Sequence, residues 1–288
     1  MLVPRFYEDL NVVHDKTMPA RTYYIPASVR MNDLVEHRER SDRFQLLNGE
    51  WKFQYYNSIY DVTESFYEKG YDVSGFDQVT VPGVWQMDGY DTHQYTNIRY
   101  PFPFDPPYVP QDIPCGAYVH NFEYHREKKA SKAFLNFEGV DSCFYVWVNG
   151  AYAGYSQVPH ATSEFDVTDL LNEGENTLAV LVLKWCDGSY LEDQDKFRMS
   201  GIFRDVYLLK RPETTIRDYY ITTDVEKDSV VVKLDMHFAE PVETKVTIED
   251  KYGAVVARGE TAENGVLELT VLNPVLWNAE NPYLYQII

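Results

Sequence analysis

The pattern that most limits the fold of this chain is the alternation of apolar and polar residues with a period of two. It recurs in short segments, for example at 133–139 (AFLNFEG) and 203–209 (FRDVYLL). This period places successive side chains on opposite faces of a strand. Residues 144–155 (FYVWVNGAYAGY) are two such segments around Asn149-Gly150, the strongest short hairpin signal. The chain is therefore predicted to be all-β.

Two further segments refine this prediction. Residues 177–185 (TLAVLVLKW) are a continuous apolar run, which is typical of a strand buried on both faces. We predict one modest helix at 62–69 (VTESFYEK), ended by Gly70 as its C-terminal cap. Many strands with long connections and little helix favour a jelly roll or a related sandwich.

The organisation of the chain changes near Arg211-Pro212. Beyond this point short alternating segments follow one another, and Tyr252-Gly253 and Asn264-Gly265 supply turns between them. The predicted strands lie at 216–225, 229–238, 245–250, 255–258 and 266–272. Such a series suits an immunoglobulin-like or fibronectin III-like sandwich. We therefore predict a jelly-roll domain at 1–212 and an immunoglobulin-like domain at 213–288.

The charge of the chain limits its partners. It carries 26 Lys and Arg against 45 Asp and Glu, a net charge of −19. Such a surface repels phosphate backbones and anionic lipids, so nucleic acid and membranes are not expected as partners. The N-terminus has early acids and no apolar core of a signal peptide, and no run approaches the length of a membrane span.

The cysteines indicate the compartment. An odd, sparse set of three, Cys115, Cys143 and Cys186, does not make a disulfide framework. Reduced and mostly buried thiols fit a cytoplasmic protein. We therefore predict a cytoplasmic location.

A proline-rich stretch at 90–116 stands apart from the strands. Its prolines are Pro101, Pro103, Pro106, Pro107, Pro110 and Pro114. They exclude a regular helix or a central strand there. A long ordered loop of this kind is usually functional.

Five sequence patterns together point to one family. They are LNGEWKF with VPGVWQMDGY (47–53 and 81–90), YTNIRYPFPFDPP (95–107), FYVWVNGAYAGYSQVPHATSEFD (144–166), WCDGSYLEDQDKFRMSGIFRD (185–205) and NPVLWNAENPYLY (273–285). They closely resemble the non-catalytic N-terminal domains of glycoside hydrolase family two, from about residue 7 onward. LEDQD followed by RMSGIFRDV resembles the bacterial β-galactosidases of the lacZ type rather than β-glucuronidases or β-mannosidases.

The resemblance implies an incomplete enzyme. In that family a jelly roll of the galactose-binding type and an immunoglobulin-like sandwich precede a TIM barrel with two catalytic glutamates, which would lie beyond Ile288. The resemblance thus implies that the domain at 1–212 is galactose-binding-like. The parent protein would be a retaining β-galactosidase that hydrolyses terminal β-D-galactose residues, as in lactose. This chain would hold no catalytic residue, be inactive alone, shape the galactose pocket and take part in subunit contacts. The expected partners are a galactoside, the barrel and further copies in a homo-oligomer. The apolar ending YLYQII (283–288) is interpreted as a truncation at a domain junction.

The resemblance also assigns binding residues. Asp195 would reach the active site, where its carboxylate helps to hold a sodium ion and the 6-hydroxyl region of galactose; hard cations prefer such oxygen ligands. Asn97 would line the galactose pocket, since its amide can both donate and accept. Neighbouring Ile98 would shape the pocket wall. The alternative for both polar residues is an ordinary turn role. If the assignment holds, Asn97 and Asp195 lie close together.

A structural magnesium site is the less secure expectation. Asp187 and Gln157 match family positions that bind this ion, and Asp9 falls where the family has an asparagine. Phe6, however, replaces the family's acidic ligand, and magnesium demands near-octahedral oxygen coordination. Na⁺ and Mg²⁺ are thus the cofactors expected of the full enzyme, and whether this chain alone binds either ion stays open.

Two other functions remain open at this point. The first is a stand-alone carbohydrate-binding module, although the appended sandwich and the apolar ending argue against it. The second is the non-catalytic subunit of a split enzyme, with the barrel encoded separately.

Overall fold

The computed structural model describes residues 2–31, 34, 36–192, 195–261 and 265–288. The chain is nearly all β, with 42% strand and 5% helix, which confirms the predicted fold class. The strands are β1 His14–Asp15, β2 Phe44–Leu46, β3 Gly49–Tyr56, β4 Asp77–Val81, β5 Cys115–Tyr124, β6 Lys132–Phe137, β7 Val140–Asp141, β8 Cys143–Val148, β9 Ala151–Ser156, β10 Ser163–Asp166, β11 Gly174–Leu183, β12 Gly201–Ile202, β13 Val206–Arg211, β14 Ile216–Val225, β15 Ser229–Phe238, β16 Thr244–Glu249, β17 Val255–Thr261, β18 Val266–Leu272 and β19 Gln286–Ile287. Short 3₁₀ helices lie at Phe6–Glu8, Arg38–Arg40, Ile59–Asp61 and Asp187–Tyr190.

The chain divides into two compact units. The first comprises the segment that ends at Ala20 together with Phe44–Lys210, and the second comprises Arg21–Arg43 together with Arg211–Ile288. The structure therefore groups the 21–43 segment with the second unit, a feature absent from the predicted division at 212. That division remains a prediction of where the two domains meet.

The first unit is built on strand β11. A seven-stranded sheet has the order β1-β9-β8-β11-β5-β3-β4, and a four-stranded sheet has the order β10-β6-β13-β2. Strand β11 pairs antiparallel with β5 over its whole length and with β8 over its second half. From Leu178 to Leu183 its residues are at most 1% exposed, so the prediction of a strand buried on both faces is confirmed.

The predicted hairpin is also confirmed. Strands β8 and β9 pair with Val148 opposite Ala151, which leaves a two-residue loop. The φ angles of that loop are 52° at Asn149 and 84° at Gly150. Asn-Gly tolerates two successive positive φ angles, as the type I′ hairpin turn requires.

The seven-stranded sheet has an apolar layer on each face. One layer lies between the two sheets and contains Leu178, Val180 and Val182 of β11. The other contains the alternate residues of the same strand, such as Leu181, and side chains from the loops, such as Tyr190. Loops rather than a third sheet therefore cover the outer face of this sheet.

The helix predicted at 62–69 is wrong. This segment forms successive turns, in which the amides of Phe66 and Glu68 donate to the carbonyls of Glu64 and Ser65. Val62 and Phe66 have the spacing of one helical face, and both are buried, at 5% and 2% exposure. Both side chains pack into the outer apolar layer from a loop. Burial therefore produced the helix-like spacing of apolar residues, although no helix forms.

The second unit is a small sandwich, as predicted. Its two three-stranded sheets have the orders β14-β15-β18 and β17-β16-β19. Strands β14, β15 and β18 have the predicted bounds, and β16 and β17 differ from them by a few residues at their ends. The core between the sheets includes Val232, Leu234, Ile248 and Leu269. Asn264 of the predicted second turn lies outside the described residues.

The 21–43 segment is tied to strands β14 and β16 of this unit. The Thr22 amide donates to Asp218 at 2.7 Å. Arg30 pairs with Glu249, whose side chain is 1% exposed. A buried carboxylate depends strongly on such a partner. This long-range ion pair helps to hold the segment on the second sandwich.

Two simpler expectations can be compared with the structure. Cys115, Cys143 and Cys186 are free and buried, as predicted. Across the part of the chain that the structure describes, no helix has both the length and the apolar character needed to cross a bilayer.

The buried centre of β11 gives the first testable prediction. Leu181→Ala should lower the free energy of unfolding by about 2–5 kcal/mol, because the 0% exposed side chain leaves a cavity in the outer layer. Urea unfolding measures this change. Leu10→Ala, at a 69% exposed position, is the control and should stay within about 0.5 kcal/mol of wild type. Equal effects of the two substitutions would contradict the assignment of β11 to the core.

Candidate functional site

Two loops of the first unit meet at one backbone bridge. Gln94, in the proline-rich stretch, and Arg198, before β12, form an isolated antiparallel bridge. The Arg198 amide donates to the Gln94 carbonyl at 2.7 Å, and the reverse bond is 3.4 Å long. The bridge fixes the register of the residues that follow Gln94 against those that precede Arg198.

The proline-rich loop is held on the outer apolar layer. Phe102 packs against Trp185 and Tyr190, with ring centroids 5.0 and 5.2 Å apart. The Tyr190 hydroxyl donates to the Tyr108 carbonyl at 2.5 Å and accepts from the Asp105 amide at 3.2 Å. Residues 91–114 form neither helix nor ladder strand, as the prolines predict. The loop is thus ordered by contacts and not by regular structure.

The bridge brings the predicted sugar-binding residues together. The Asn97 side-chain amide donates to Asp195 Oδ1 at 3.3 Å. The Tyr95 hydroxyl donates to the same oxygen at 3.0 Å. Asn97 and Asp195 are exposed, and Ile98 beside them is 90% exposed. The structure therefore presents a carboxylate, an amide and a phenol at one accessible place, with an apolar side chain next to them.

Tyr95 is a member of this group that sequence reasoning missed. It lies two residues before Asn97, a spacing that places side chains on the same side of an extended segment. Its ring also packs against Phe197 with centroids 5.8 Å apart. The available signal was its position in YTN, two residues before the predicted Asn97.

The backbone at Asp195 is unusual. Its φ angle is 23°, on the positive side where few residues other than glycine, asparagine and aspartate occur. Such positions often accompany functional sites when the surroundings hold them. Here the hydrogen bonds from Tyr95 and Asn97 hold the carboxylate.

An open cleft lies along the same loop. It has a volume of about 580 Å³. Its lining residues are Gln94, Tyr95, Thr96, Arg99, Tyr100, Pro101, Phe102 and Pro103. Tyr95 thus contacts both the cleft and Asp195, whereas Asn97 and Ile98 do not line the cleft.

The predicted magnesium ligands are brought together only in part. Gln157 donates from Nε2 to Asp187 Oδ1 at 2.7 Å, and its Oε1 accepts from Tyr155 at 2.6 Å. Asp9 Oδ1 accepts from the backbone and side chain of Asn11, each at 3.0 Å. Within the described residues, no group of three or more His, Cys, Asp or Glu is arranged to hold a metal.

Asp187 nevertheless has the environment of a cation ligand. Its Oδ2 is buried without a hydrogen-bond partner among the described residues. Burial raises the pKa of Asp187, the hydrogen bond from Gln157 opposes this, and the charges of Asp9 and Glu8 raise it further. A nearby cation would relieve both the burial cost and the repulsion.

Phe6 explains why this set is incomplete. At the position of the family's acidic ligand, the Phe6 ring packs 5.5 Å from Tyr155 and 6.3 Å from Tyr145, measured between centroids. It extends the outer apolar layer and supplies no oxygen. Asp187 therefore fits a hard cation, while the set as a whole fits magnesium only in part.

Comparisons with known proteins agree on the family. The model of the sugar binding domain of glycosyl hydrolases family 2 matches residues 44–212. A second model of the same family matches residues 214–288. Together the two matches cover most of each compact unit, but not the N-terminal 43 residues.

Named relatives extend this result. The chain is 44% identical to a β-galactosidase of Actinobacillus pleuropneumoniae and 43% identical to one of Staphylococcus xylosus. Each alignment covers 100% of this chain, but 28% and 29% of the respective relative. The chain thus spans less than a third of the length of these curated relatives.

Solved structures show the same fold. A β-glucuronidase of an uncultured Clostridium species matches with a TM-score of 0.65 and 25% identity, covering 85% of this chain and 42% of that one. A β-glucuronidase of Ruminococcus gnavus matches with a TM-score of 0.70 and 21% identity, covering 92% of this chain and 43% of that one. The sequence matches and the shared fold lead to one conclusion: the chain belongs to glycosyl hydrolases family 2.

Proposed function

We propose that this chain is the non-catalytic front part of a retaining β-galactosidase that hydrolyses terminal β-D-galactose residues in lactose-type substrates. Its own task is to help form the galactose pocket. The observation that carries the proposal is the hydrogen bond between Asn97 and Asp195, two residues 98 positions apart in the chain. Sequence matches to part of two β-galactosidases, which extend over the whole of this chain, support the substrate class.

The division of labour follows from the chemistry of the site. A retaining glycosidase needs two carboxyl groups about 5–5.5 Å apart, one on each side of the scissile bond. Here, among the described residues, the Asp195 carboxylate is held by an amide and a phenol, which suits binding rather than bond cleavage. The catalytic glutamates would belong to a TIM barrel in the remaining length of the protein.

Each binding residue has a separate role in this proposal. Asp195 would ligate a sodium ion and contact the 6-hydroxyl region of galactose. Asn97 would hydrogen-bond sugar hydroxyls, and exposed Ile98 would form part of the pocket wall. Tyr95 would orient Asp195 through its hydroxyl. Carboxylate oxygens are suitable ligands for a hard cation, and amides serve as both donors and acceptors.

Magnesium would be held by Asp187 with Gln157 and Asp9. The unpartnered Asp187 Oδ2 supports this role. Gln157 and Asp9 would have to exchange their present hydrogen bonds for the ion, because their oxygens accept from Tyr155 and Asn11. The ion would supply positive charge that stabilises the buried carboxylate, away from the reaction centre.

The partners and the location complete the proposal. The barrel would dock beside Asp195, and the protein would assemble as a homo-oligomer in the cytoplasm. The exposed apolar side chains near the end of the chain, including Leu272, Trp277 and Leu284, support contacts with further polypeptide.

Asp195 gives the central prediction of this function. In the full-length protein, Asp195→Asn should raise KM for a chromogenic β-galactoside about tenfold or more, because a charged hydrogen-bonding group is lost. It should also weaken the dependence of the rate on sodium. Asp224→Asn, at an exposed position of β14, removes the same charge elsewhere and serves as control. An unchanged sodium response would remove Asp195 from the site.

The 288-residue chain alone offers a complementary measurement. It should show no turnover of the same chromogenic substrate, since the proposed catalytic glutamates lie outside it. Measurable hydrolysis by the purified chain would overturn the division of labour, and tight galactose binding by it would favour a stand-alone binding module.

Asp187 gives the prediction for magnesium. The raised pKa of Asp187 means that its contribution to stability is present at low pH and is lost as the pH rises through its folded pKa. Asp187→Asn should therefore raise the Tm of the metal-free chain at pH values where the wild-type carboxyl is ionised, but not at pH values where it is protonated. Millimolar Mg²⁺ should raise the Tm of the wild type alone. A magnesium response retained in Asp187→Asn would exclude this residue as a ligand.

A further inference from the structure

The loop that carries Asp195 begins with a carboxyl group directed inward. The Glu192 backbone amide donates to the Gly188 carbonyl at 3.2 Å, so its position is fixed relative to the preceding 3₁₀ helix. Its side chain is partly buried and lines a small internal cavity of about 10 Å³, room for one water molecule. The other lining residues are Asp141, Ser142, Lys184, Trp185, Lys196, Arg198, Met199 and Ser200.

The cations around this cavity are already used by other groups. Lys184 pairs with Asp91, and both side chains are largely buried. Arg198 donates to the Ser189 carbonyl at 2.9 Å and lies over the Trp185 ring. Among the described residues, the Glu192 carboxyl itself has neither an ion pair nor a hydrogen bond.

Lys196 is the cation with the most freedom. Its Nζ lies 3.4 Å from Asp141 Oδ2 and 3.2 Å from His160 Nε2. Its side chain is 32% exposed, whereas that of Lys184 is 6% exposed. Lys196 directly follows Asp195 in the chain. A change of partner by Lys196 would therefore act on the backbone next to the proposed sugar-binding carboxylate.

We propose that Glu192 is a positioning residue whose protonation sets the partner of Lys196 and, through it, the placement of Asp195. This inference rests on the proposed function for the meaning of Asp195, but not for the movement itself. With Glu192 neutral, Lys196 remains with Asp141. With Glu192 ionised, the carboxylates of Asp141 and Glu192, which line the same cavity, compete for Lys196, and Lys196 changes its partner.

The electrostatic surroundings place this change near neutral pH. Burial raises the pKa of Glu192 to about 8, and Asp141 and Asp187 raise it while Lys196 and Arg198 lower it. Since the folded pKa exceeds the ordinary value, the folded state keeps its proton between the two pKa values, where the unfolded chain has already lost it. The arrangement with neutral Glu192 is therefore the one present in acid, and it is lost as the pH rises through about 8.

The test is hydrogen exchange of this chain, followed by mass spectrometry across neutral to alkaline pH and corrected for the intrinsic exchange rate. In the wild type, the peptide that contains Lys196 should lose protection as the pH rises. Glu192→Gln imitates the neutral acid and should keep that protection throughout. Glu175→Gln, which removes an exposed acid on β11, should behave like the wild type.

A second variant tests the same idea at a more exposed residue. Lys196→Gln removes the group proposed to change partners, and it should also abolish the pH dependence. A pH dependence that persists in both Glu192→Gln and Lys196→Gln would overturn the proposal, and so would a wild-type peptide that shows none. If Glu192→Gln does not fold, Lys196→Gln and the wild type decide the question.

The sodium response of the full-length protein separates this inference from the proposed function. The apparent sodium affinity should change across the same pH range in the wild type and stay constant in Glu192→Gln. The two ideas can fail separately. If hydrogen exchange behaves as expected but Asp195→Asn leaves the sodium response unchanged, the role of Glu192 in positioning Lys196 stands. In that case the sodium site of the proposed function is wrong.

Discussion

The burial of β11 on both faces is the constraint on which the first unit depends. A strand with apolar residues at every position cannot be covered by one partner sheet, because alternate side chains point away from it. The four-stranded sheet covers one face, and the outer face requires another apolar cover. The loops and the N-terminal segment provide this cover, so a packing requirement brings them to one place.

The proposed site follows from this requirement. Phe102 and Tyr190 are members of the outer apolar layer, and both belong to the loops that meet at Gln94 and Arg198. The chain leaves β11 directly into Trp185 and the 3₁₀ helix Asp187–Tyr190, and then into the segment with Asp195. The exposed, hydrogen-bonded Asp195 is therefore carried by loops that pack on a buried apolar layer. Binding loops have a fixed geometry when a rigid scaffold positions them in this way. The outer layer thus provides both stability and the position of Asp195.

What the sequence predicted well was local. The Asn149-Gly150 hairpin and the strands of the second unit depend on neighbouring residues, so their patterns are visible along the chain. The helix predicted at 62–69 failed because burial in the outer layer gave Val62 and Phe66 a helical spacing. The grouping of residues 21–43 with the second unit depends on contacts such as Thr22 with Asp218, 196 positions apart, which no local pattern reveals.

The residues of the candidate site also could not be predicted from local sequence patterns, because they lie on loops that are distant in the chain. Asn97 and Asp195 were selected by family resemblance, because neither residue type nor local spacing connects side chains on two distant loops. The sequence marked Tyr95 only by its place two residues before Asn97, and the contact of its hydroxyl with Asp195 becomes visible only in the structure, beside the bridge between Gln94 and Arg198. Asp187 and Gln157 do meet, but Phe6, where the resemblance implied an acidic ligand, packs against Tyr155 and supplies no oxygen.

The distribution of charge connects these features. A chain with a net charge of −19 draws cations toward its surface and has few of its own to place against buried acids. In the first unit Lys184 and Lys196 are committed to Asp91 and Asp141. Asp187 and Glu192 are left in partly or fully buried places where ionisation is disfavoured, and the pKa of each is raised. Among the described residues, Asp195 differs from both of these acids, because it is exposed and its carboxylate accepts hydrogen bonds from Tyr95 and Asn97.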